Sequence, residues 1–568
     1  MQDSFADTGL ETALADHIHL NPQQLLKFDP ESCVVEQASV GVKLHEQVDI
    51  ALLVGFTACD GTEDAHIPRA ILRANLQNLV PLGFQKRLKG HLCTYMIPSA
   101  SKELQFPLRK VLSFGIITLG ETMRSKWAAL LIPFVALAAL GFYRPAAPEP
   151  RALPLSVVFG SEINGYLTPC GCSKPMVGGI PRRATLLKQL AEKHTLLALE
   201  NGDLTKAAGR QDELKAEALI EMLNAMGYDA LNLGKYDFQL GMDYLRALQA
   251  QFKGAMLCGN VQEGGNPAFD AFTLVEKRHL NRPVRVLIAG LISEKHTDAI
   301  RQRNPHLRIT PAAQQLDTLR PQIESMGDLR ILLFYGTEQE AAQLAQAHPY
   351  FHMIVYAGGG DGPLPTKQVG QTRLVFAGND AKFVGIAHLS ENAPYAIARV
   401  EHTRLTEDFK DDEQALGIKL GYLARVEAED LLGMVPRRPT VNGDTFAGSR
   451  ACMPCHAEDY RIWQRTAHAK AMQTLIDEKH DKDPECVVCH VVGMEFEGGF
   501  QSMQKTPTLK DVGCESCHGP ARKHVQDPET HRLGKAGEKS CMSCHVPAHS
   551  PGFDFETYWK KIEHGFKK

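Results

Sequence analysis

The feature that most constrains this chain is a pentapeptide, Cys-x-x-Cys-His, that occurs four times in its final part. The spacing is typical of covalent c-type haem attachment, because the two thiols bond to the haem vinyl groups and the adjacent histidine can then ligate the iron. Two four-cysteine zinc sites are the alternative, but they leave the four histidines unexplained. We therefore predict four covalently bound c-type haems as cofactors. The motifs, called first to fourth in chain order, supply the attachment residues Cys452, Cys455, Cys486, Cys489, Cys514, Cys517, Cys541 and Cys544 and the proximal ligands His456, His490, His518 and His545.

Length and charge set the general class of protein. The 568 residues suffice for about three domains with cores of their own. The formal net charge is −4, and the sequence has no basic block or stripe that could neutralise phosphates. We therefore expect no nucleic acid partner.

An export signal is predicted inside the chain rather than at residue 1. Residues 123–126 are short and basic, residues 127–142 are almost wholly apolar, and a proline-rich spacer continues up to Pro150. This layout indicates a signal peptide or an N-terminal membrane anchor over 123–150, with a buried core helix as the alternative. Export predicts a periplasmic protein, or one on the outer face of the cytoplasmic membrane and attached through 127–142.

Residues 1–122 are hard to reconcile with an internal signal, because a signal must emerge from the ribosome before the domains that it exports. Our hypothesis is that Met123 is the true start and that residues 1–122 are upstream sequence. The alternative is a small domain with a strand at 51–54 and a helix at 68–80, since proline suits a first helical turn. Sequencing the N-terminus of the native protein distinguishes the two.

Between residues 151 and 405 the pattern alternates short β-rich runs with amphipathic segments. We predict strands at 155–159, 195–199, 230–233, 284–289, 329–334 and 352–356, with a closing antiparallel edge at 372–376 and 383–389. We predict helices at 181–193, 212–226, 242–251, 311–325 and 338–347. This alternation is typical of a layered α/β domain.

Three motifs of this domain carry a resemblance to a known family in their order and spacing. They are residues 178–183 (Gly-Gly-Ile-Pro-Arg-Arg), 201–203 (Asn-Gly-Asp) and 232–238 (Asn-Leu-Gly-Lys-Tyr-Asp-Phe). The domain resembles the calcineurin-like metallophosphoesterases, specifically the bacterial 5′-nucleotidase branch. The resemblance implies a fold in which Asp, His and Asn side chains hold two metal ions at the carboxyl ends of the strands.

The metal-binding motifs of that family are largely replaced here. The Asp-x-His motif corresponds to residues 161–165 (Ser-Glu-Ile-Asn-Gly), and Gly-Asn-His to 234–236 (Gly-Lys-Tyr). The later histidine motifs correspond to 335–337 (Tyr-Gly-Thr) and 357–360 (Ala-Gly-Gly-Gly). Asp203 matches the bridging aspartate, but one aspartate cannot hold two ions and orient a water. We expect Asp203 to be a turn residue or a helix cap, and the domain to be a scaffold or partner-binding module without phosphoesterase activity.

Three cysteines of this domain lie outside the haem motifs. Cys170, Cys172 and Cys258 predict one disulfide with one free thiol, or a small metal site with thiolate ligands. Residues 406–445 are predicted as a helix followed by a proline-rich linker.

The last domain, residues 446–568, carries a second resemblance. The matching residues are 448–451 (Gly-Ser-Arg-Ala), Trp463, 466–469 (Thr-Ala-His-Ala), 483–485 (Asp-Pro-Glu), 498–500 (Gly-Gly-Phe), 512–520 and 558–564. They are similar to the tetrahaem cytochrome family that accepts electrons from hydroxylamine oxidoreductase. We expect a small, mostly α multihaem cytochrome c domain whose haems supply much of the core.

The same resemblance implies distal iron ligands at His468, His524 and His564. His524 lies six residues after His518, a reach of at most about 20 Å, so we expect it to ligate a different haem. Distal ligands that cross between haems would hold the four together.

The other histidines of this domain are not among the predicted iron ligands. His480 and His531 are expected on the surface, because their surroundings are strongly polar, and His549 is poorly placed for its own haem. The resemblance implies that the haem of His490 is five-coordinate.

The predicted function is electron transfer outside the cytoplasm, with a redox protein as donor and another as acceptor. The alternative is a multihaem oxidoreductase that acts on a small nitrogen or sulfur compound at one open iron.

Overall fold

The computed structural model describes residues 36–44, 48–56, 152–169, 176–393, 395–547 and 549–565. Four sequence predictions lie outside these residues. They concern the helix at 68–80, the export signal at 123–150, and Cys170 and Cys172.

The chain separates into two compact units, residues 1–144 and 145–568. In the first unit, β1 (Glu36–Leu44) pairs antiparallel with β2 (Val48–Phe56). Residues 51–54, predicted as a strand, lie inside β2.

The second unit begins with a domain of alternating strands and helices. Its strands are β3 (Leu155–Ser161), β4 (Thr195–Asn201), β5 (Ala230–Asn232), β6 (Ala255–Leu257), β7 (Val261–Glu263), β8 (Asn266–Pro267), β9 (Phe272–His279), β10 (Arg282–Ile292), β11 (Arg308–Ile309), β12 (Leu329–Tyr335), β13 (Met353–Tyr356), β14 (Lys367–Val369), β15 (Thr372–Val375), β16 (Phe383–Leu389) and β17 (Ile397–Arg404). Its helices are α1 (Ile180–Ala191), α2 (Arg210–Met226), α3 (Met242–Gln251), α4 (Thr297–Arg303), α5 (Ala312–Ser325), α6 (Glu338–Ala347) and α7 (Glu413–Ala428).

The described part of this domain contains two six-stranded sheets and a small three-stranded sheet. The first sheet has the order β17-β16-β3-β4-β5-β6, and the second has β14-β15-β13-β12-β10-β9. Strands β3 to β6 are parallel, as are β10, β12, β13 and β15. The central strands are buried on both faces, which is why their sequences are near-continuous apolar runs.

The two sheets pack face to face over an apolar core. Phe159 and Leu199 of the first sheet meet Ile288, Leu333 and Val355 of the second, all of them fully buried. Helices α1, α2, α3 and α7 cover the outer face of the first sheet, and α5 and α6 cover that of the second. The predicted layered α/β fold is therefore confirmed, with the layers ordered helix, sheet, sheet, helix.

Sequence analysis missed two of the longer strands, β9 and β17. Both are edge strands, and both leave much of their length accessible to solvent. A search for buried apolar runs overlooks strands of this kind.

The segment after α7 has short helices only, within the residues described. They are α8 (Ala457–Gln464), α9 (Ala471–Asp477), α10 (Pro484–His490), α11 (Cys514–His518), α12 (Arg522–Gln526), α13 (Glu538–Cys541) and α14 (Phe555–Trp559). A small apolar cluster includes Phe446, Met472, Val487 and Phe500. The prediction of a small, mostly helical domain is confirmed. Nowhere in the described chain is a helix both long enough and apolar enough to span a bilayer.

A buried ion pair joins α1 to β4. Arg183 Nη1 lies 2.6 Å from Glu200 Oε2, with 1% and 0% of the two side chains exposed. We expect Arg183→Met to lower the free energy of unfolding by about 3–5 kcal/mol, because it leaves the Glu200 carboxyl buried without its partner. Urea unfolding followed by far-UV circular dichroism measures the loss.

Arg285→Met is the matched control for that experiment. Arg285 pairs with Asp328 but is half-exposed, so its replacement should cost about 0–1 kcal/mol. Equal losses in the two variants would contradict the structural role assigned to Arg183.

Candidate haem-binding site

Each of the four motifs is wound into about one helical turn. The second motif lies at the end of α10 and the third forms α11. In the first and fourth motifs, the histidine N–H donates to the carbonyl of the first cysteine, at 2.9 Å in both. Residues four apart in a helical turn share a face. The histidine and the first cysteine of each motif therefore face the same way, as covalent attachment and ligation of one haem require.

Local sequence explains why α10 begins where it does. Asp483 is the N-cap residue, and its Oδ1 accepts a hydrogen bond from the N–H of Glu485 at 3.1 Å. Pro484 occupies the first helical position, where a missing N–H costs nothing. The Asp-Pro-Glu sequence therefore places the second motif in a helix.

The motifs contact one another in a particular order. The thiols of Cys452 and Cys514 lie next to each other, which places the first motif beside the third. Ser540, next to the fourth motif, donates its hydroxyl to the carbonyl of Cys517 at 3.3 Å. The thiols of Cys489 and Cys544 join the fourth motif to the second. Neighbouring motifs therefore run in the order first, third, fourth, second.

Three pairs of imidazole rings bridge distant parts of this domain. The ring centroids are 6.4 Å apart for His456 and His524, 6.1 Å for His545 and His468, and 5.9 Å for His518 and His564. Two metal–imidazole bonds of about 2 Å, with about 1 Å from each nitrogen to its ring centre, span about 6 Å. Each pair therefore has the separation of two axial ligands on opposite sides of one iron, and the residues fit the haem.

Hydrogen bonds at Nδ1 orient several of these rings. The acceptors are the carbonyls of Ala471 for His490 at 2.7 Å, Gly534 for His518 at 3.1 Å, His531 for His524 at 2.8 Å and Ile562 for His564 at 2.7 Å. A carbonyl only accepts, so Nδ1 carries the proton in these rings. The lone pair of Nε2 is then left for a metal, as is usual for ligating histidines.

Burial also favours the ligating form of the histidines. Desolvation lowers the pKa of His468, His490 and His545 below the usual value. These three rings are therefore neutral at pH 7, which is the form that binds iron. The assignment of distal ligands and the five-coordinate haem of His490 remain predictions.

The three histidines that are not predicted to ligate iron differ in their surroundings. The surface prediction is wrong for His480, whose side chain is only 12% exposed and whose Nδ1 lies 3.4 Å from Asp483 Oδ2. The cause is packing against α10, which the polar local sequence does not reveal. His531 is exposed as predicted. His549 lies against Tyr166 of the α/β domain, with 6.2 Å between ring centroids.

Asp203 lies at the carboxyl edge of the first sheet, in a turn where its own φ is 44°. Oδ1 accepts a hydrogen bond from the N–H of Tyr236 at 2.7 Å, and Oδ2 accepts one from the hydroxyl of Tyr335. Burial and then the neighbouring Asp237 raise the pKa of Asp203 well above its usual value. Both oxygens are thus engaged within the chain, and the carboxyl favours the protonated form.

Tyr335 contacts Asp203, and sequence analysis did not predict this contact. Its ring lies against Gly202 and Gly234, where an added Cβ would be 2.2 and 2.6 Å from a ring carbon. The sequence signal was the Tyr-Gly-Thr that stands for a histidine motif. In the structure, this phenol occupies the space beside Asp203.

The rest of this edge is also satisfied by the chain's own groups. Glu162 Oε2 accepts a hydrogen bond from the N–H of Gly358 at 2.8 Å, and Asp380 accepts from Asn164 at 3.0 Å and pairs with Lys382 at 3.0 Å. Cys258 is buried and free, and burial raises the pKa of its thiol.

One group of three side chains has its potential metal-ligand atoms within 4.8 Å of one another in the described part of the chain. It consists of His480, Asp483 and Cys486. Because Cys486 is a predicted haem attachment residue, the group lies at the edge of the second haem position rather than at the carboxyl edge of the sheet.

Comparison with known proteins finds relatives for both the C-terminal part and the α/β part of the chain. The family described as cytochrome c554 and c-prime matches residues 451–519. Cytochrome c-554 of Nitrosomonas europaea is 40% identical over 111 residues, which are 17% of this chain and 46% of that protein.

The α/β part has relatives of another kind. A 2′,3′-cyclic-nucleotide 2′-phosphodiesterase/3′-nucleotidase of Haemophilus influenzae is 30% identical over 137 residues, 22% of this chain and 21% of that protein. The solved 5′-nucleotidase precursor of Thermus thermophilus aligns with a TM-score of 0.42 and 19% identity, over 52% of this chain and 62% of that one. The chain spans less than half the length of either curated relative.

The cytochrome match establishes the cofactor class. A cytochrome c holds its haem covalently, so c-type haem is the cofactor of the C-terminal domain. Residues 451–519 match the cytochrome c554 family, and the chain joins them to an α/β domain that resembles the 5′-nucleotidases.

Proposed function

We propose that this protein transfers electrons outside the cytoplasm through four covalently bound c-type haems. The observation that carries the proposal is the set of three imidazole pairs, each about 6 Å between ring centres and each joining a motif to a histidine outside it. Such pairs suit haems that stay six-coordinate while they gain and lose electrons. Paired imidazoles also favour lower reduction potentials than a histidine with a methionine.

The contacts between motifs supply a path. The first motif touches the third, the third lies beside the fourth, and the fourth touches the second. Residues of the chain hold the ligands in place: carbonyls orient the imidazoles, and the crossing pairs tie the motifs together. A donor protein would deliver electrons at one end of this series, and an acceptor protein would remove them at the other.

The α/β domain acts in this proposal as a scaffold or partner-binding module. Both carboxyl oxygens of Asp203 accept hydrogen bonds, from the N–H of Tyr236 and from the hydroxyl of Tyr335, which argues against two-metal hydrolysis. Haem of the c type is attached outside the cytoplasm, so the proposed location is the periplasm or the outer face of the cytoplasmic membrane.

The number of haems can be counted by mass. Full-length protein produced with the c-type maturation machinery should carry four haems that survive denaturation, because the thioether bonds are covalent. A Cys486→Ser/Cys489→Ser double variant should carry three. Fewer than four haems on the unmodified chain, measured by intact mass spectrometry, would contradict the proposal.

His564→Ala tests the axial pairing. The variant removes the ring opposite His518, so one haem per chain should change from low spin to high spin in the electron paramagnetic resonance spectrum. His531→Ala is the matched control, since the His531 ring is exposed on the same domain and alanine keeps the backbone carbonyl that accepts from His524, so the spectrum should stay unchanged. An unchanged spectrum for His564→Ala, or the same change for His531→Ala, would contradict the pairing.

Phosphoesterase activity tests the scaffold role. Full-length protein incubated with Mn²⁺ and adenosine monophosphate should release no more phosphate than the metal-free sample, because Tyr335 engages Asp203. Metal-stimulated release that disappears in Asp203→Asn would show that the site is catalytic and that the scaffold role is wrong.

A further inference from the structure

The α/β domain contacts the first turn of the helix that carries the second haem motif. Two side chains of α2, Gln211 and Lys215, reach across to Asp483 and Glu485 at the start of α10. Because residues four apart lie on one face of a helix, Gln211 and Lys215 point the same way. The contact therefore joins one face of α2 to one turn of α10.

Gln211 holds the N-cap residue. Its Nε2 donates to Asp483 Oδ1 at 2.6 Å and lies 2.9 Å from the hydroxyl of Tyr422 on α7. Asp483 is buried and also accepts the N–H of Glu485 at 3.1 Å. An N-cap residue stabilises the first turn of its helix, so this contact stabilises the segment between Cys486 and His490.

Lys215 supplies a buried positive charge at the same turn. Its Nζ lies 2.5 Å from Glu485 Oε2, and only 8% of its side chain is exposed, against 46% for Glu485. Burial acts to lower the pKa of Lys215, but the charges of Glu485 and Asp483 outweigh it and leave the pKa raised. Lys215 is therefore a permanent cation beside the chain position of Cys486.

A fixed cation next to a haem favours the reduced state. Reduction removes one positive charge from the iron, so a nearby positive charge repels the reduced haem less than the oxidised one. In a buried site this interaction is screened less by salt than it would be at the surface.

We propose that Gln211 and Lys215 are positioning residues for the haem of the second motif, and that the charge of Lys215 raises the reduction potential of that haem. The α/β domain then has a role in electron transfer that needs no metal ions and no catalysis. This inference rests on the proposed haem at Cys486 and Cys489.

The test is a spectroelectrochemical titration of the full-length holoprotein. In Lys215→Met, one of the four midpoint potentials should fall while the other three keep their values. A tenfold change in the reduction equilibrium, about 59 mV for one electron, is the expected scale. Lys188→Met is the matched control, because Lys188 is an exposed lysine of the same domain whose partner is Asp412, and it should shift none of the potentials.

Glu485→Gln gives a readout that a merely structural role would not produce. It removes the negative partner and keeps Lys215, so the same potential should rise rather than fall. Lys215→Arg keeps the charge and should restore the native potential. If Lys215→Met cannot be purified with its haems, the sign of the potential shift in Glu485→Gln decides between an electrostatic and a merely structural role for Lys215.

The outcomes separate this inference from the proposed function. Fewer than four reduction steps in the unmodified protein would defeat the proposed function itself. Four steps that none of the variants moves, or four that all move together, would overturn the role of Lys215 and leave the proposed function intact.

Discussion

The pairing of imidazoles across the chain is the interaction on which the C-terminal domain depends. In three of the four motifs, the histidine ring lies about 6 Å from the ring of a histidine that another segment of the chain supplies. His524 returns to the first motif, His564 to the third and His468 to the fourth. Because the described residues of this domain form only short helices and one small apolar cluster, these three ring pairs fix the positions of the motifs.

At the carboxyl edge of the first sheet, the groups around Asp203 come from the chain itself. The central strands still bring Asp203 to the carboxyl edge of the first sheet, but the phenol of Tyr335 lies beside it. Burial then raises the pKa of the carboxyl, which disfavours the anion that a metal would need. On the same domain, α2 contacts the first turn of the helix that carries the second haem motif.

Much of this arrangement can be read from the sequence, and the rest depends on tertiary contacts. The haem motifs are local patterns, and the buried strands of the α/β domain are local apolar runs, so both were predictable. The partner of His524 was not, because spacing excludes its own motif but does not select another. The burial of His480 and the contact between Lys215 and Glu485 arise from segments distant in sequence, where no local pattern signals them.

Near-infrared magnetic circular dichroism of the oxidised full-length protein tests the central claim most directly, since the charge-transfer bands of low-spin haem report the axial ligands. Crossing imidazole pairs predict bis-histidine bands with the intensity of three haems per chain. Bands of histidine–methionine ligation, or bis-histidine intensity for fewer than three haems, would contradict the arrangement.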